Sequence, residues 1–179
     1  KNTWTYTNFI CKYANEESEF DIMDKFVTFI KSIGNPKIWY WFAEKREWHN
    51  AECRQFDRAK LLENYEEQSV MISDHISNEW SKLNWVDLHR VFKNVPIIIK
   101  GCFTFSLKDI SKAMYNHGMI TTKINSVCDN GQSAMIKAWK YYQNSEKETG
   151  IMDDISKYNE FDCKVLWDIL RYLKIKYVS

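Results

Sequence analysis

The chain has 179 residues, of which 45% are hydrophobic and 16% aromatic, and this composition excludes an intrinsically disordered segment. Its 25 basic and 24 acidic residues nearly cancel, which excludes a uniformly basic nucleic-acid-binding protein but leaves room for a local basic groove. The length suits one domain, and no linker divides residues 1–179.

Nothing in the sequence indicates a secreted or membrane-bound protein. No apolar run approaches the roughly 20 residues that cross a bilayer, and no segment resembles a signal peptide. The five cysteines are odd in number, and no two of them form a C-x-x-C pair, which is typical of thiols in a reducing compartment. We therefore expect an intracellular protein, cytoplasmic or nuclear, that is not secreted and has no membrane partner.

The first part of the chain predicts strands around one helix. Residues 1–12 are rich in Thr and aromatic residues in rough alternation, which favours one strand or two short ones. Residues 22–33 carry apolar side chains at helical spacing, and Gly34 with Pro36 provides the stop. The aromatic run KIWYWFAE, residues 37–44, predicts a buried strand that ends at its last two residues.

The middle of the chain is less regular. Residues 45–65 are polar with interspersed apolar positions and predict a helix. Residues 69–80 have no clear assignment, and neither do residues 94–100. WVDLHRVF, residues 85–92, predicts a short strand that enters a turn.

The last part of the chain predicts helices. Ser106 and Asp109 form an S-x-x-D capping box before a helix that Gly118 ends. Residues 129–131 form a turn before a helix over residues 132–143, and the polar connection 147–154 leads to a last helix over residues 154–174. Strands at the front mixed with helices throughout indicate an α/β domain in which helices cover a sheet.

The last helix carries a carboxylate on its apolar face. Asp162 lies one turn after Tyr158 and shares the stripe of apolar residues, which are Ile155, Val165, Leu166, Ile169 and Leu173. An Asp there either reaches solvent at the boundary of the face or bonds to a Lys or a backbone group. Alternatively, it binds Mg²⁺ or Mn²⁺ through its hard oxygen atoms while the Tyr orients an attacking water.

Four stretches, in order and spacing, carry a resemblance to a known family. In chain order they are IWYWFAEKREW, WVDLHRVFKNVPIIIKGCFTFSLKDISKAM, CDNGQSAMIKAWKYY and DISKYNEFDCKVLWDILRYL. Together they resemble the ribonuclease-H-like, DnaQ-like 3′–5′ exonuclease superfamily of the DEDD type with Tyr in its third motif. The most similar family is the predicted exonuclease domain that is often joined to PD-(D/E)XK nuclease or helicase domains. The resemblance implies a ribonuclease-H-like mixed sheet flanked by helices.

The resemblance also implies roles for individual residues. Glu44 matches the second-motif acid, where the wider superfamily more often has Asp, and Tyr158 and Asp162 match the third motif. Glu44 and Asp162 would be ligands of a two-metal Mg²⁺ or Mn²⁺ site, and Tyr158 would position the hydrolytic water. Without the resemblance, Glu44 would be read as the point where the chain leaves the core. Asp87 matches a position beside the site, or else it caps a turn.

The same resemblance implies that the segment around the capping box flanks the substrate groove. Ser106 and Lys108 match that segment, and Lys100 lies nearby in sequence. These residues would contact the phosphates of a single strand, although a solvated helix face explains the two lysines equally well.

The chain departs from the family in its first motif, because no Asp-x-Glu on a strand is present. The early acids, in residues 16–21, fit the N-terminal end of a helix instead. We therefore expect that the first strand and its two acids lie in an N-terminal segment outside this sequence, as part of a larger chain with further domains. Otherwise something else fills the gap that the missing strand leaves, or the domain has lost its activity.

These expectations lead to two functions. The first is a metal-dependent 3′–5′ exonuclease that hydrolyses phosphodiester bonds at the ends of single-stranded DNA or RNA by a two-metal mechanism. The alternative is a catalytically silent nucleic-acid-binding or scaffolding module of a larger nucleic-acid-processing protein. A protein-interaction domain that shares only the fold is the third possibility.

Overall fold

The structure is a computed structural model that describes residues 3–11, 13–61, 66–123, 131–143 and 150–177, and helices predominate in it. The described residues form seven α-helices, one π-helix and two strands. The α-helices are α1 (Glu16–Ser32), α2 (Glu44–Leu61), α3 (Glu66–His75), α4 (Leu88–Asn94), α5 (Leu107–Asn116), α6 (Gly131–Gln143) and α7 (Ile151–Tyr177). The π-helix Ile76–Trp80 continues α3, and the strands are β1 (Ile38–Tyr40) and β2 (Trp85–Asp87). No helix within the described ranges is both long and apolar enough to cross a membrane.

The sheet consists of two short parallel strands in the described part of the chain. Ile38 pairs with Trp85, and Tyr40 pairs with Asp87. The ribonuclease-H-like mixed sheet flanked by helices is therefore wrong as a prediction of the fold. The strand predicted over residues 37–44 is shorter than expected, because the chain already turns after Tyr40 and α2 starts at the predicted end of the strand.

The predicted N-terminal strand or strands do not form in residues 3–11, which have no regular secondary structure. Their side chains pack instead. The ring centroids of Trp4 and Trp167 lie 6.1 Å apart, and the Tyr6 hydroxyl donates to the carbonyl of Ser156 at 3.2 Å. Aromatic and Thr content indicates a surface that can pack. Here Trp4 and Tyr6 pack on helix α7, and Phe9 packs on Phe26 and Phe29 of α1, rather than in a sheet.

The chain divides into two compact units, and each is described by itself. The sheet unit is Phe9–Leu88, and the α7 unit combines Lys1–Asn8 with His89–Ser179. The domain prediction over residues 1–179 stays a prediction.

The sheet unit has an aromatic core between α1, α2 and the π-helix. The helix predicted over residues 22–33 is confirmed as α1, which Asn15 caps at its start and after which Gly34 adopts a φ of 89°. The helix predicted over residues 45–65 is confirmed as far as Leu61, and residues 62–65 lie outside the described residues. Burial of each large apolar side chain contributes roughly 1.5–3 kcal/mol. The buried cluster contains Met23, Val27, Ile30, Ala51, Ile76, Trp80 and Leu83.

The α7 unit contains the predicted C-terminal helices. Ser106 caps α5 as predicted, since its Oγ accepts from the Asp109 amide at 3.1 Å. The helix predicted over residues 132–143 is confirmed as α6, whereas most of the turn before it lies outside the described residues. The last helix begins at Ile151, so residues 151–154 belong to α7 and not to a connection. Residues 144–149 lie outside the described residues.

Candidate functional site

Tyr158 and Asp162 meet on α7, because residues four apart in a helix share a face. The Tyr158 phenol donates a hydrogen bond to the Asp162 carboxylate, and both side chains are half-buried. Burial raises the pKa of Asp162 above its ordinary value, although the bond from Tyr158 acts in the opposite direction. In the described part of the chain, no basic side chain forms a salt bridge with Asp162. The pair is therefore a half-buried acid whose charge the described protein groups do not neutralise.

The phenol end of the pair lies beside the start of α6. A methyl group built at Gly131 would stand 3.9 Å from the Tyr158 hydroxyl oxygen, which is ordinary van der Waals contact. Helices α6 and α7 pack together in this region. The first turn of α6 therefore forms one wall beside the Tyr158–Asp162 pair.

A second acid on α7, Asp168, is more deeply buried than Asp162. Only 7% of Asp168 is exposed. Its Oδ1 accepts from the Lys164 ammonium at 2.7 Å, and its Oδ2 accepts from the Thr122 amide at 3.2 Å and the Thr122 hydroxyl at 2.5 Å. Burial alone would raise the pKa of Asp168, but the bonds from Lys164 and Thr122 outweigh it, so the pKa is lowered. Asp168 is a satisfied structural carboxylate that the sequence reasoning did not single out.

Glu44 lies in the sheet unit, where it opens α2. Its Oε2 accepts from the Ala43 amide at 3.1 Å, so the carboxyl group turns back onto the backbone even though Glu44 as a whole is exposed. Burial of that carboxyl group raises the pKa of Glu44, and hydrogen bonds from the Glu44, Ala43 and Trp41 amides act against it. The negative charge of Asp87 raises the pKa further.

The proximity of Glu44 and Asp87 follows from the parallel pairing of their strands. Asp87 is the last residue of β2 and is paired with Tyr40, the last residue of β1, after which the chain turns to Glu44. The carboxyl ends of parallel strands meet at one edge, which is where open α/β sheets bind ligands. The sequence reasoning placed Asp87 beside the site without linking it to Glu44. The sequence could have indicated this proximity, because both acids lie at the ends of strands.

Of the three predicted nucleic-acid-binding residues, Lys100 lines a cleft in the α7 unit, whereas Ser106 and Lys108 lie at the start of α5. The cleft has a volume of about 580 Å³, and Lys100 lines it together with Lys112 and Phe103, whose side chain is 97% exposed. Lys108 lies in the first turn of α5. Ser106 donates its hydroxyl proton to Asp109 Oδ2 at 2.8 Å, so a phosphate contact through this hydroxyl would require that bond to break.

The predicted site residues are thus distributed over the two units. Tyr158 and Asp162 come together on α7, whereas Glu44 lies in the sheet unit beside Asp87. Among the described residues, no group of three or more His, Cys, Asp or Glu side chains could hold a metal ion. The assignment of Glu44 and Asp162 as metal ligands stays a prediction.

Comparison with known proteins gives no family for the chain. No protein-family model, curated protein or solved structure matches it. The resemblance to DnaQ-like exonucleases therefore rests on the residues quoted above.

Proposed function

We propose that the chain is the part of a divalent-metal-dependent nuclease that carries the Tyr158–Asp162 pair, acting in the 3′–5′ direction on single-stranded nucleic acid ends. The observation that carries this proposal is the half-buried Asp162 carboxylate, whose pKa is raised by burial and lowered by the hydrogen bond from the Tyr158 phenol. A buried carboxylate without a basic partner is costly unless a cation or a proton neutralises it. Groups with perturbed pKa values are candidates for functional sites.

The donor chemistry fits Mg²⁺ or Mn²⁺. Carboxylate oxygens are the ligands that these hard cations prefer, and Mg²⁺ is usually held by one or two carboxylates together with waters and substrate phosphates. Asp162 supplies such an oxygen in the α7 unit. When bound, the metal would lower the pKa of a water and neutralise charge on the phosphate.

Tyr158 has a defined part in this proposal. Its hydroxyl is held by Asp162 within one turn of α7, so the phenol oxygen is fixed in direction and can accept a hydrogen bond from a water. In the proposed site, a water oriented in this way would present a lone pair to the scissile phosphorus, and this would lower the entropic part of the barrier. Asp162 in turn keeps the phenol in place.

The test is a nuclease assay on the full natural polypeptide that carries these residues. Single-stranded DNA and RNA, labelled at either end, are incubated with Mn²⁺ or with EDTA. We expect Mn²⁺-dependent shortening from the 3′ end, a loss of about 100-fold or more in rate for Asp162→Asn, and a smaller loss for Tyr158→Phe.

The matched control is Asp153→Asn, the same chemical change on an exposed acid of the same helix. This variant should keep the wild-type rate. Equal rates for the wild type and Asp162→Asn would show that the site is wrong.

The second candidate function, a catalytically silent nucleic-acid-binding module, is favoured by the cleft in the α7 unit. Its lining includes the exposed ring of Phe103 together with Lys100 and Lys112. Aromatic faces with neighbouring cations are the usual means of binding single strands without hydrolysis. Strand binding without any Mn²⁺-dependent cleavage would support this module and overturn the nuclease. In either case we expect the protein to be intracellular.

A further inference from the structure

The sheet unit contains a groove that none of the predicted roles uses. It has a volume of about 690 Å³, within the roughly 300–1,000 Å³ typical of ligand sites. Aromatic rings form most of its apolar lining, and polar side chains of α2 line it as well. The aromatic lining residues are Tyr40, Phe42, Trp48, Phe56, Trp80 and Trp85.

The wall of the groove is fixed by packing and by one buried carboxylate. The ring centroids of Trp48 and Trp85 lie 5.6 Å apart, and Trp85 contacts Tyr40 edge-to-face at 5.9 Å. Glu52 is 9% exposed, and its Oε1 accepts from the Trp48 indole at 2.9 Å. The Glu52 Oε2 lies 3.5 Å from His49 Nδ1. These contacts hold the indole and the imidazole in defined positions before any ligand arrives.

Phe42 stands at the rim of the groove in a strained backbone conformation. Its φ is 81°, and the Ala43 amide donates to the Trp41 carbonyl at 3.2 Å across it, which makes a γ-turn with positive φ. Such turns are rare and strained for a residue with a bulky side chain. The turn leaves the Phe42 side chain 62% exposed, whereas Trp41 before it is buried. Strain that exposes a large apolar ring, instead of burying it, points to a role in binding.

The charges at the rim are complementary to a nucleic acid. Lys45 and Arg46 line the groove in the first turn of α2, three and four residues after Phe42. Arg46 also forms an ion pair with Glu47 at 3.4 Å, but both side chains are exposed, so this pair is weak and can yield to a phosphate. Glu52 is the acid among the lining residues and is engaged by Trp48 and His49.

We propose that this groove, defined by Phe42, Lys45, Arg46, Trp48 and Trp85, binds a nucleotide of a single-stranded nucleic acid. The base stacks on the Phe42 ring, and the adjoining phosphates contact Lys45 and Arg46. Successive cations beside one aromatic ring match the alternation of base and phosphate along a strand. This inference rests on the proposed function, because the groove and the proposed nuclease site would bind the same ligand, single-stranded nucleic acid. It adds a binding site on the sheet unit that is separate from hydrolysis.

The experiment measures binding without catalysis, by fluorescence anisotropy of a labelled single-stranded oligodeoxynucleotide in EDTA. We expect Phe42→Gly to weaken binding by about 5- to 100-fold, the effect of losing one base stack. Glycine tolerates positive φ, so the thermal midpoint of this variant should equal or exceed that of the wild type. Phe42→Trp keeps a stacking face and should keep the affinity.

An abasic strand of the same length separates stacking from charge. It should bind the wild type about as weakly as the normal strand binds Phe42→Gly, and Phe42→Gly should weaken its binding no further. A mononucleotide distinguishes a strand site from a nucleotide pocket. We expect it to bind much more weakly than the strand, and equal affinity would overturn the strand assignment.

Lys45→Gln tests the phosphate contact, and Lys60→Gln is its matched control. Lys60 lies on the same helix, away from the groove, and pairs with Asp57 at 3.1 Å. We expect Lys45→Gln to weaken binding and to reduce the salt dependence by about one counterion, whereas Lys60→Gln leaves both unchanged.

Two results overturn the groove assignment. One is a stable Phe42→Gly variant with wild-type affinity, and the other is equal binding of normal and abasic strands by the wild type. The outcome is distinct from that of the nuclease test. Groove-dependent binding without Mn²⁺-dependent cleavage overturns the nuclease alone, and Asp162-dependent cleavage with groove-independent binding overturns the groove alone.

Discussion

The phenol of Tyr158 donates a hydrogen bond to the carboxylate of Asp162, one helical turn further along α7. Almost three turns beyond Tyr158 on the same helix, the buried Asp168 has a Lys and a Thr as partners. The two acids therefore respond to their surroundings in opposite directions, since the pKa of Asp162 is raised and that of Asp168 is lowered. The helix combines one acid that stabilises the fold with another whose charge is unfavourable in it.

Asp162→Asn should stabilise the protein near neutral pH. Because the folded-state pKa of Asp162 is raised, the folded protein holds this proton more tightly than the unfolded chain. The favourable contribution of Asp162 to the free energy of unfolding is therefore lost as the pH rises from the ordinary Asp pKa, about 3.9, through the raised pKa of the folded state. We expect the thermal midpoint of the variant to exceed that of the wild type by a few degrees at about pH 7. Below about pH 3.5 the two should agree, and a constant difference across the pH range would contradict the assignment.

Asp168→Ala should destabilise the protein by about 3–5 kcal/mol, because it removes the buried carboxylate that accepts from Lys164 and Thr122. The folded-state pKa of Asp168 is lowered, so its contribution is present above the ordinary Asp value and is lost as the pH falls through the lowered value. Urea denaturation at several pH values measures both effects. Asp153→Ala, an exposed change on the same helix, should stay within about 0.5 kcal/mol.

Mn²⁺ should raise the thermal midpoint of the wild type and not that of Asp162→Asn. A ligand at a hundred times its dissociation constant stabilises the folded state by about 2.7 kcal/mol. Because the metal competes with the proton on a carboxylate of raised pKa, the stabilisation should shrink as the pH falls. Differential scanning fluorimetry with a Mn²⁺ titration gives the measurement. The same shift in both proteins would place the metal elsewhere.

Asp87→Asn should lower the pKa of Glu44, because it removes the negative charge that raises this pKa. Carboxyl chemical shifts followed by NMR across the acidic range report the change directly. Asp57→Asn, on the opposite end of α2, should leave the titration of Glu44 unchanged. An unaltered Glu44 titration in Asp87→Asn would show that the two carboxylates do not interact.

Tyr158→Phe should raise the pKa of Asp162 further, since the phenol bond is the contact that lowers it. Loss of a hydrogen bond to a charged group weakens the fold by about 1.5–3 kcal/mol when the group stays ionised. NMR titration of Asp162 in the variant tests this, and a lowered value would contradict the bond. The nuclease rate should fall in parallel, because the hydroxyl that orients water is gone.

The sequence by itself determined the elements that local interactions control. Gly34 ends α1 because glycine readily adopts the positive φ found there. Ser106 caps α5 because its side chain accepts a hydrogen bond from an amide of the first turn. Both interactions are made within a few residues of the helix end. The Tyr158–Asp162 pairing follows equally from helical spacing. The predicted sheet was wrong, because a strand requires a partner that is distant in sequence, and residues 3–11 have strand-like composition without such a partner.

Only the tertiary structure decided which charges and rings come close together. Parallel pairing of β1 with β2 brings Asp87 to Glu44, and the packing around α7 buries Asp168 more deeply than Asp162. The positive φ of Phe42, which places its ring at the groove, arises where β1 must turn into α2 within a few residues. The residue type fixes the chemistry that a side chain can perform. Its pKa and its exposure depend instead on burial and on neighbouring charges, which contacts between segments far apart in the chain determine.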